Sequence, residues 1–177
     1  MAPSNDHLSS QIKLTLQHFI KAKMIFFWTQ LPSTRKIQQY FPDVEDPSDI
    51  EQIEKFFRAS RIFFYAKIRQ VARALFAQKP HAHYNAITIR EDYKFYKLLS
   101  YYFDPLRSIK PPEEFRCTVI QSIQDYFVAL QTGVEDESEF MRRVGQAMMQ
   151  IEKDPPEWLQ SRDFMEFVHP EGDPPSR

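Results

Sequence analysis

Lys55, Arg58, Arg61, Lys67, Arg69, Arg73, Lys79 and Arg90 are the residues most able to do chemistry. No Asp or Glu falls between the first of them and the last. The net charge of the whole chain is only −1. About one fifth of a near-neutral chain is therefore purely basic, and fixed cations gathered on one element attract phosphate. The compensating acids sit mostly in 43–54 and 104–171. Other reactive groupings are incomplete. His81 and His83 lack the nearby carboxylate or thiolate that a zinc site needs. Cys117 stands beside Arg116 with no histidine indicated, so it reads as a thiol on a helix. Glu135-Asp136-Glu137 reads as an exposed helix start rather than an acid–base pair. The 177 residues contain one cysteine and three glycines, Gly133, Gly145 and Gly172. A disulfide framework and a glycine-cradled nucleotide site are both excluded. No catalytic, metal or cofactor arrangement emerges, so a non-enzyme without cofactors or a small-molecule ligand is expected.

The elements that carry these residues read as helices. Aromatics make up 15% of the chain and hydrophobic residues 42%, enough to bury a sizeable core. Apolar residues at spacings of three and four predict a first helix over 11–30, broken by Pro32. A short second helix over 34–40 follows, capped by Ser33 or Thr34. A third is expected over about 50–78, with its cap in Pro47-Ser48-Asp49. At 1.5 Å per residue it spans about 43 Å. Ile53, Phe56, Phe57, Phe64, Ile68, Val71 and Leu75 mark its buried stripe, and the basic residues lie on its remaining faces. Then come a loop over 80–87, a fourth helix over 88–102, a linker over 104–112 and a fifth helix over 113–131. A sixth is expected over 137–153 and a last short one within 156–168. His18 reads as a helix-surface or capping residue. No apolar run reaches the roughly 18 residues of a membrane span. Met1–Gln11 lacks the basic start and apolar centre of a signal peptide. No membrane association is expected, and the nucleus or cytosol is the expected compartment.

Several stretches are familiar in order. Lys21-Ala22-Lys23-Met24-Ile25-Phe26-Phe27-Trp28, then Pro32-Ser33 and Tyr40-Phe41-Pro42-Asp43, resemble the opening of the homeo-Prospero domain of the Prospero/Prox transcription regulators. The likeness continues through Phe63-Phe64-Tyr65, Tyr96, Leu99 and Pro112-Glu113-Glu114-Phe115-Arg116. It returns in Tyr126-Phe127, Ala129, Gln131 and Gly133, and in Pro156-Glu157-Trp158 with Ser161 and Phe164. The resemblance implies an all-α fold, in which a divergent three-helix homeodomain is fused to a helical Prospero domain as one structural unit. It implies a flexible N-terminus over 1–11, a homeodomain-like part over 12–79, a Prospero-like part over 80–168 and a flexible tail over 169–177. It also implies a nuclear protein that binds double-stranded DNA through the third helix.

The reading residues match only in part. The family's third helix carries Trp-Phe-Ser-Asn-Phe-Arg-Glu where this chain has Phe56-Phe57-Arg58-Ala59-Ser60-Arg61-Ile62. Ala59 stands where homeodomains place an adenine-reading Asn, and Ile62 where the family has a base-contacting Glu. Lys55 keeps the family's lysine, and Arg61 keeps an arginine that typically holds phosphate. A lost bidentate contact costs roughly 1–3 kcal/mol of base discrimination. Phosphate neutralisation still supplies much of the affinity. The expected DNA-binding set is Lys55, Arg58, Ala59, Arg61, Ile62, Lys67 and Arg69. Lys55, Arg58, Ala59, Ile62 and Ala66 equally form a face, apolar in the middle and basic at the edge, that suits a protein partner.

Overall fold

The structure is a computed structural model that describes residues 14–133, 138, 139, 142 and 153–168. Its helices are α1 (Leu16–Ile25), α2 (Thr34–Tyr40), α3 (Pro47–Gln78), α4 (Lys94–Phe103), α5 (Glu113–Thr132) and the single turn α6 (Glu157–Gln160). Short 3₁₀ turns occupy Tyr84–Ala86 and Phe164–Phe167. No strand occurs among the described residues, and the expected all-α class holds. No described helix is long and apolar enough to cross a membrane. The N-terminus 1–11, the tail 169–177 and nearly all of the expected sixth helix lie outside the described residues.

Local chemistry sets the helix ends. Ser33 caps α2 by accepting from the Lys36 N–H at 3.2 Å. α3 begins three residues earlier than expected. Asp46 is its cap, accepting from the Ser48 N–H at 2.9 Å, and Pro47 takes the first helical position. Proline suits that place because its missing N–H would have had no partner there. α1 stops at Ile25, well short of the expected Gln30. The Gln30 side chain donates to the Phe26 carbonyl at 2.6 Å and supplies a partner the helix no longer gives. At the other end of α1, His18 closes a capping box. Its Nδ1 accepts from the Thr15 N–H at 2.9 Å, so the proton sits on Nε2, which donates to Asp43 at 2.7 Å. Burial pushes the Asp43 carboxyl up, but the His18 hydrogen bond, a backbone donor and the nearby charges bring it below its ordinary value.

The fourth helix differs most from expectation. It begins at Lys94, and 87–93 is not helical. Ile87 and Ile89 are buried while Thr88 between them is exposed. Their carbonyls accept from α5, Ile87 from Gln124 at 3.0 Å and Ile89 from Arg116 at 2.6 Å. Two β-branched residues alternating inward, with backbone partners supplied from outside, favour an extended segment over a helix.

One core joins both halves of the chain. α3 packs along α5 on one side and against α1 and α2 on the other. At the centre, Phe26 stacks on Phe103 at 4.4 Å, Phe27 meets Phe115 edge-on at 4.9 Å, and Phe64 lies 5.9 Å from Phe26. These rings come from the end of α1, from α3, from α4 and from α5.

The C-terminal segment is clasped onto α1 and α2. The Lys21 side chain, 2% exposed, donates to the carbonyls of Gln160 at 3.0 Å and Ser161 at 3.2 Å. Its ammonium also lies 4.9 Å from the centre of the Phe41 ring. Thr29 donates to the Lys153 carbonyl at 2.5 Å, and Tyr40 to Asp154 at 2.6 Å. Burial pushes the Lys21 pKa down to about 8, with Asp43 opposing.

Two outcomes follow from this packing. Phe26→Ala should cost about 3–5 kcal/mol and leave a single cooperative transition by calorimetry. Lys21 binds fewer protons in the folded state than in the unfolded one between pH about 8 and 10.5. Stability should therefore rise with pH across that window, relative to Lys21→Met. Urea midpoints of both proteins measured across the window check the sign.

Candidate nucleic-acid interface

Helical periodicity leaves one stripe of α3 uncovered. Glu51, Lys55, Arg58, Ala59, Ile62, Ala66, Gln70 and Arg73 are exposed at spacings of three and four. Between them Ile53, Phe57, Ser60, Phe64 and Ile68 are buried. The packing of α1, α2 and α5 therefore decides which side chains α3 presents.

Four of the seven expected residues share that stripe. Lys55 is exposed and lies 3.7 Å from Glu51 one turn earlier. An exposed pair of this kind contributes little and holds Lys55 only loosely. Arg58 and Ala59 are exposed side by side, and Ile62 is 56% exposed one turn on. This combination offers a guanidinium for acceptors or phosphate, a methyl-sized gap and an apolar surface within one groove-width of helix. A bidentate amide is missing from the Ala59 position.

The other three lie off the stripe. Arg61 is half-buried, and its guanidinium donates to the Gln30 carbonyl at 2.9 Å. Burial lowers its pKa from the ordinary value, Tyr65 opposes this, and Arg58 adds to it. Arginine stays charged regardless. Arg61 thus ties α3 to the turn after α1, which limits the donors it has left for phosphate. Lys67 is half-buried, with its ammonium 5.4 Å from the Phe63 ring centre. Arg69 is half-buried too.

Lys67 belongs to an arrangement that sequence reasoning missed. Phe63 stacks on Tyr102 at 3.6 Å, with the rings 13° apart. Lys23 of α1 lies 4.2 Å from the Tyr102 ring centre. Two ammonium groups thus bracket two stacked rings, and α1, α3 and α4 are joined beside the exposed stripe. Burial pushes the Lys23 pKa down. The sequence signal was Lys21-Ala22-Lys23 itself. Two lysines so close on a mostly buried helix cannot both face water.

His81 and His83 are exposed. His83 accepts from the Asn85 N–H at 3.2 Å and stacks on Tyr84, which is the role of a loop residue. Cys117 is exposed on α5.

Comparison with known proteins covers nearly the same span as the described fold. The family model of the homeo-Prospero domain matches residues 13–166. Homeobox protein prospero of Drosophila melanogaster is 27% identical over 147 residues, 82% of this chain. Homeobox protein prospero homolog 1 of Caenorhabditis elegans is 25% identical over 158 residues, 89% of the chain. Prospero homeobox protein 2 of Mus musculus is 25% identical over 154 residues, 86% of the chain. The matched part spans 9% of the fly protein and 26% of each of the other two.

Removing the Arg61 guanidinium should cost stability whether or not DNA is present. Arg61→Ala leaves the Gln30 carbonyl without its charged donor. A loss of about 1–2 kcal/mol is expected in denaturant unfolding.

Proposed function

The chain belongs to the homeo-Prospero domain family, and on that premise we propose that it is the DNA-binding part of a nuclear transcription regulator with weakened base-specific readout. The observation that carries this reading is the exposed stripe Lys55, Arg58, Ala59 and Ile62 on a helix whose other faces are packed. Lys55 and Arg58 dock the helix on phosphate, with Lys67 and Arg69 as flanking cations. Arg58 is the best-placed base reader, because its fork matches the two acceptors of a guanine edge. Ala59 and Ile62 contribute shape and contact with thymine methyls. The role is non-enzymatic and uses no cofactor. Arg61 acts mainly by holding α3 in place, with any phosphate contact secondary.

A second reading rests on Ile62. An isoleucine more than half exposed at the centre of the stripe, between Ala59 and Ala66, suits a protein surface. On that reading the fold serves as an interaction module that no longer reads DNA, in either nucleus or cytoplasm.

Duplex titration separates the two. The double variant Lys55→Ala, Arg58→Ala should melt like the natural chain, because both side chains are exposed. It should weaken binding to all duplexes and reduce the salt slope by about one per cation removed. Ala59→Asn should add about 1–3 kcal/mol of preference for an adenine-containing site. If the natural chain shows no salt-dependent duplex binding at about 50 mM salt, the DNA reading fails. The Ile62 surface then becomes the leading site.

A further inference from the structure

A cleft of about 630 Å³ runs along α4 and the turn that follows it, and no residue of α3 lines it. That volume lies within the usual range for a binding pocket, about 300–1,000 Å³. Tyr101, Ile109 and Pro111 supply aromatic and aliphatic surface over the buried Phe27 and Tyr96, and Lys97, Arg107 and Lys110 supply cations.

The turn is firmly held. Asp104 is buried at the C-cap of α4. One of its oxygens accepts from the Ser108 hydroxyl at 3.0 Å, and the other from the Ile109 N–H at 3.0 Å. Within this turn Arg107 has φ of 50°, the only positive φ among described residues other than glycine. L-residues with side chains adopt that backbone at a cost, and glycine or asparagine is the usual occupant. A strained arginine that persists in an overdetermined turn points to use of its side chain. The guanidinium lies over the Tyr101 ring, 4.5 Å from its centre. A cation held against a ring face keeps N–H donors on its open side for a planar acceptor. Lys97 is exposed beside it. Lys110 is 3.4 Å from Glu91, and both are well exposed, so that pair opens easily. Leu98 and Leu106, both exposed, neighbour Lys97 and Arg107 in the chain.

We propose that this cleft binds an acidic peptide segment of a partner protein. A carboxylate docks on Arg107 and Lys97, and an apolar or aromatic side chain rests against Ile109 and Pro111. The Tyr96 hydroxyl stays protonated, held well above its ordinary pKa by burial and then by Glu113 and Glu91, so it remains a donor. A peptide fits better than a nucleic-acid backbone because the cations of the cleft are interrupted. Glu91 stands among them, so acids spaced by other side chains can meet Arg107 and Lys97 while an unbroken run of phosphates would also meet Glu91.

Fluorescence anisotropy with the full chain tests this. The probe is a labelled Asp-Glu-Phe-Asp-Asp-Leu peptide, and its control carries lysine in place of every acid. Saturable binding of the acidic peptide alone is expected, weakened about tenfold or more by Arg107→Glu and by Lys97→Glu. Arg107→Gly is the decisive variant. It should weaken the peptide similarly while the melting temperature stays level or rises, because glycine accepts the left-handed backbone without strain. Absence of saturable binding by the natural chain overturns the proposal, as does equal affinity for the lysine control. A fall in melting temperature for Arg107→Gly with peptide binding intact makes Arg107 a structural brace, which also overturns it. Displacement of the peptide by duplex DNA, with Arg107→Glu weakening both alike, reassigns the cleft to nucleic acid.

Discussion

The stacking of Phe26 on Phe103, with Phe64, Phe27 and Phe115 around it, is the contact on which the rest depends. It brings the end of α1, the middle of α3, the end of α4 and the start of α5 to one point. Neither half of the chain supplies all the rings, so neither half completes this core alone. The Lys21 clasp then closes the C-terminal segment over α1 and α2. A buried ammonium is costly unless its donors are satisfied, and here two carbonyls and two aromatic faces receive it.

That packing fixes the rotation of α3 and hence what it shows to solvent. A 32-residue helix covered along most of its length keeps one narrow stripe free. Between Lys55 and Ile62 the stripe carries two cations and an apolar centre in place of a bidentate reader. Electrostatic docking and base discrimination are separable contributions, and losing one Asn contact removes discrimination before it removes affinity. The proposed function therefore rests on docking more than on the choice of a base sequence.

Much of this was legible in the sequence. The 3.6-residue period of α3 identified its buried side, and the resemblance pointed to Lys55, Arg58, Ala59 and Ile62, which the structure leaves exposed on one face. Ser33 and the run 113–131 placed α2 and α5 to within a residue, since capping residues act locally, whereas Pro32 overshot the end of α1. What escaped was non-local. Ile87-Thr88-Ile89 is extended because α5 side chains take its carbonyls, a partnership no local pattern reveals. The sequence alone places Arg61 and Lys67 in the DNA-binding set and gives Lys23 no role. The structure commits them to a carbonyl and to aromatic faces contributed by distant parts of the chain. The Asp104 turn, with its left-handed Arg107, was a proline-containing linker to the eye.

Mapping the duplex contact residue by residue tests the central claim most directly. Amide chemical shifts of the isotope-labelled chain, followed as a duplex is added at low salt, report where contact is made. Docking through α3 predicts the largest changes between Glu51 and Ala66, strongest around Arg58 and Ile62, and fading as salt is raised. A duplex that leaves those amides unmoved, or that perturbs only α4 and α5, would contradict it.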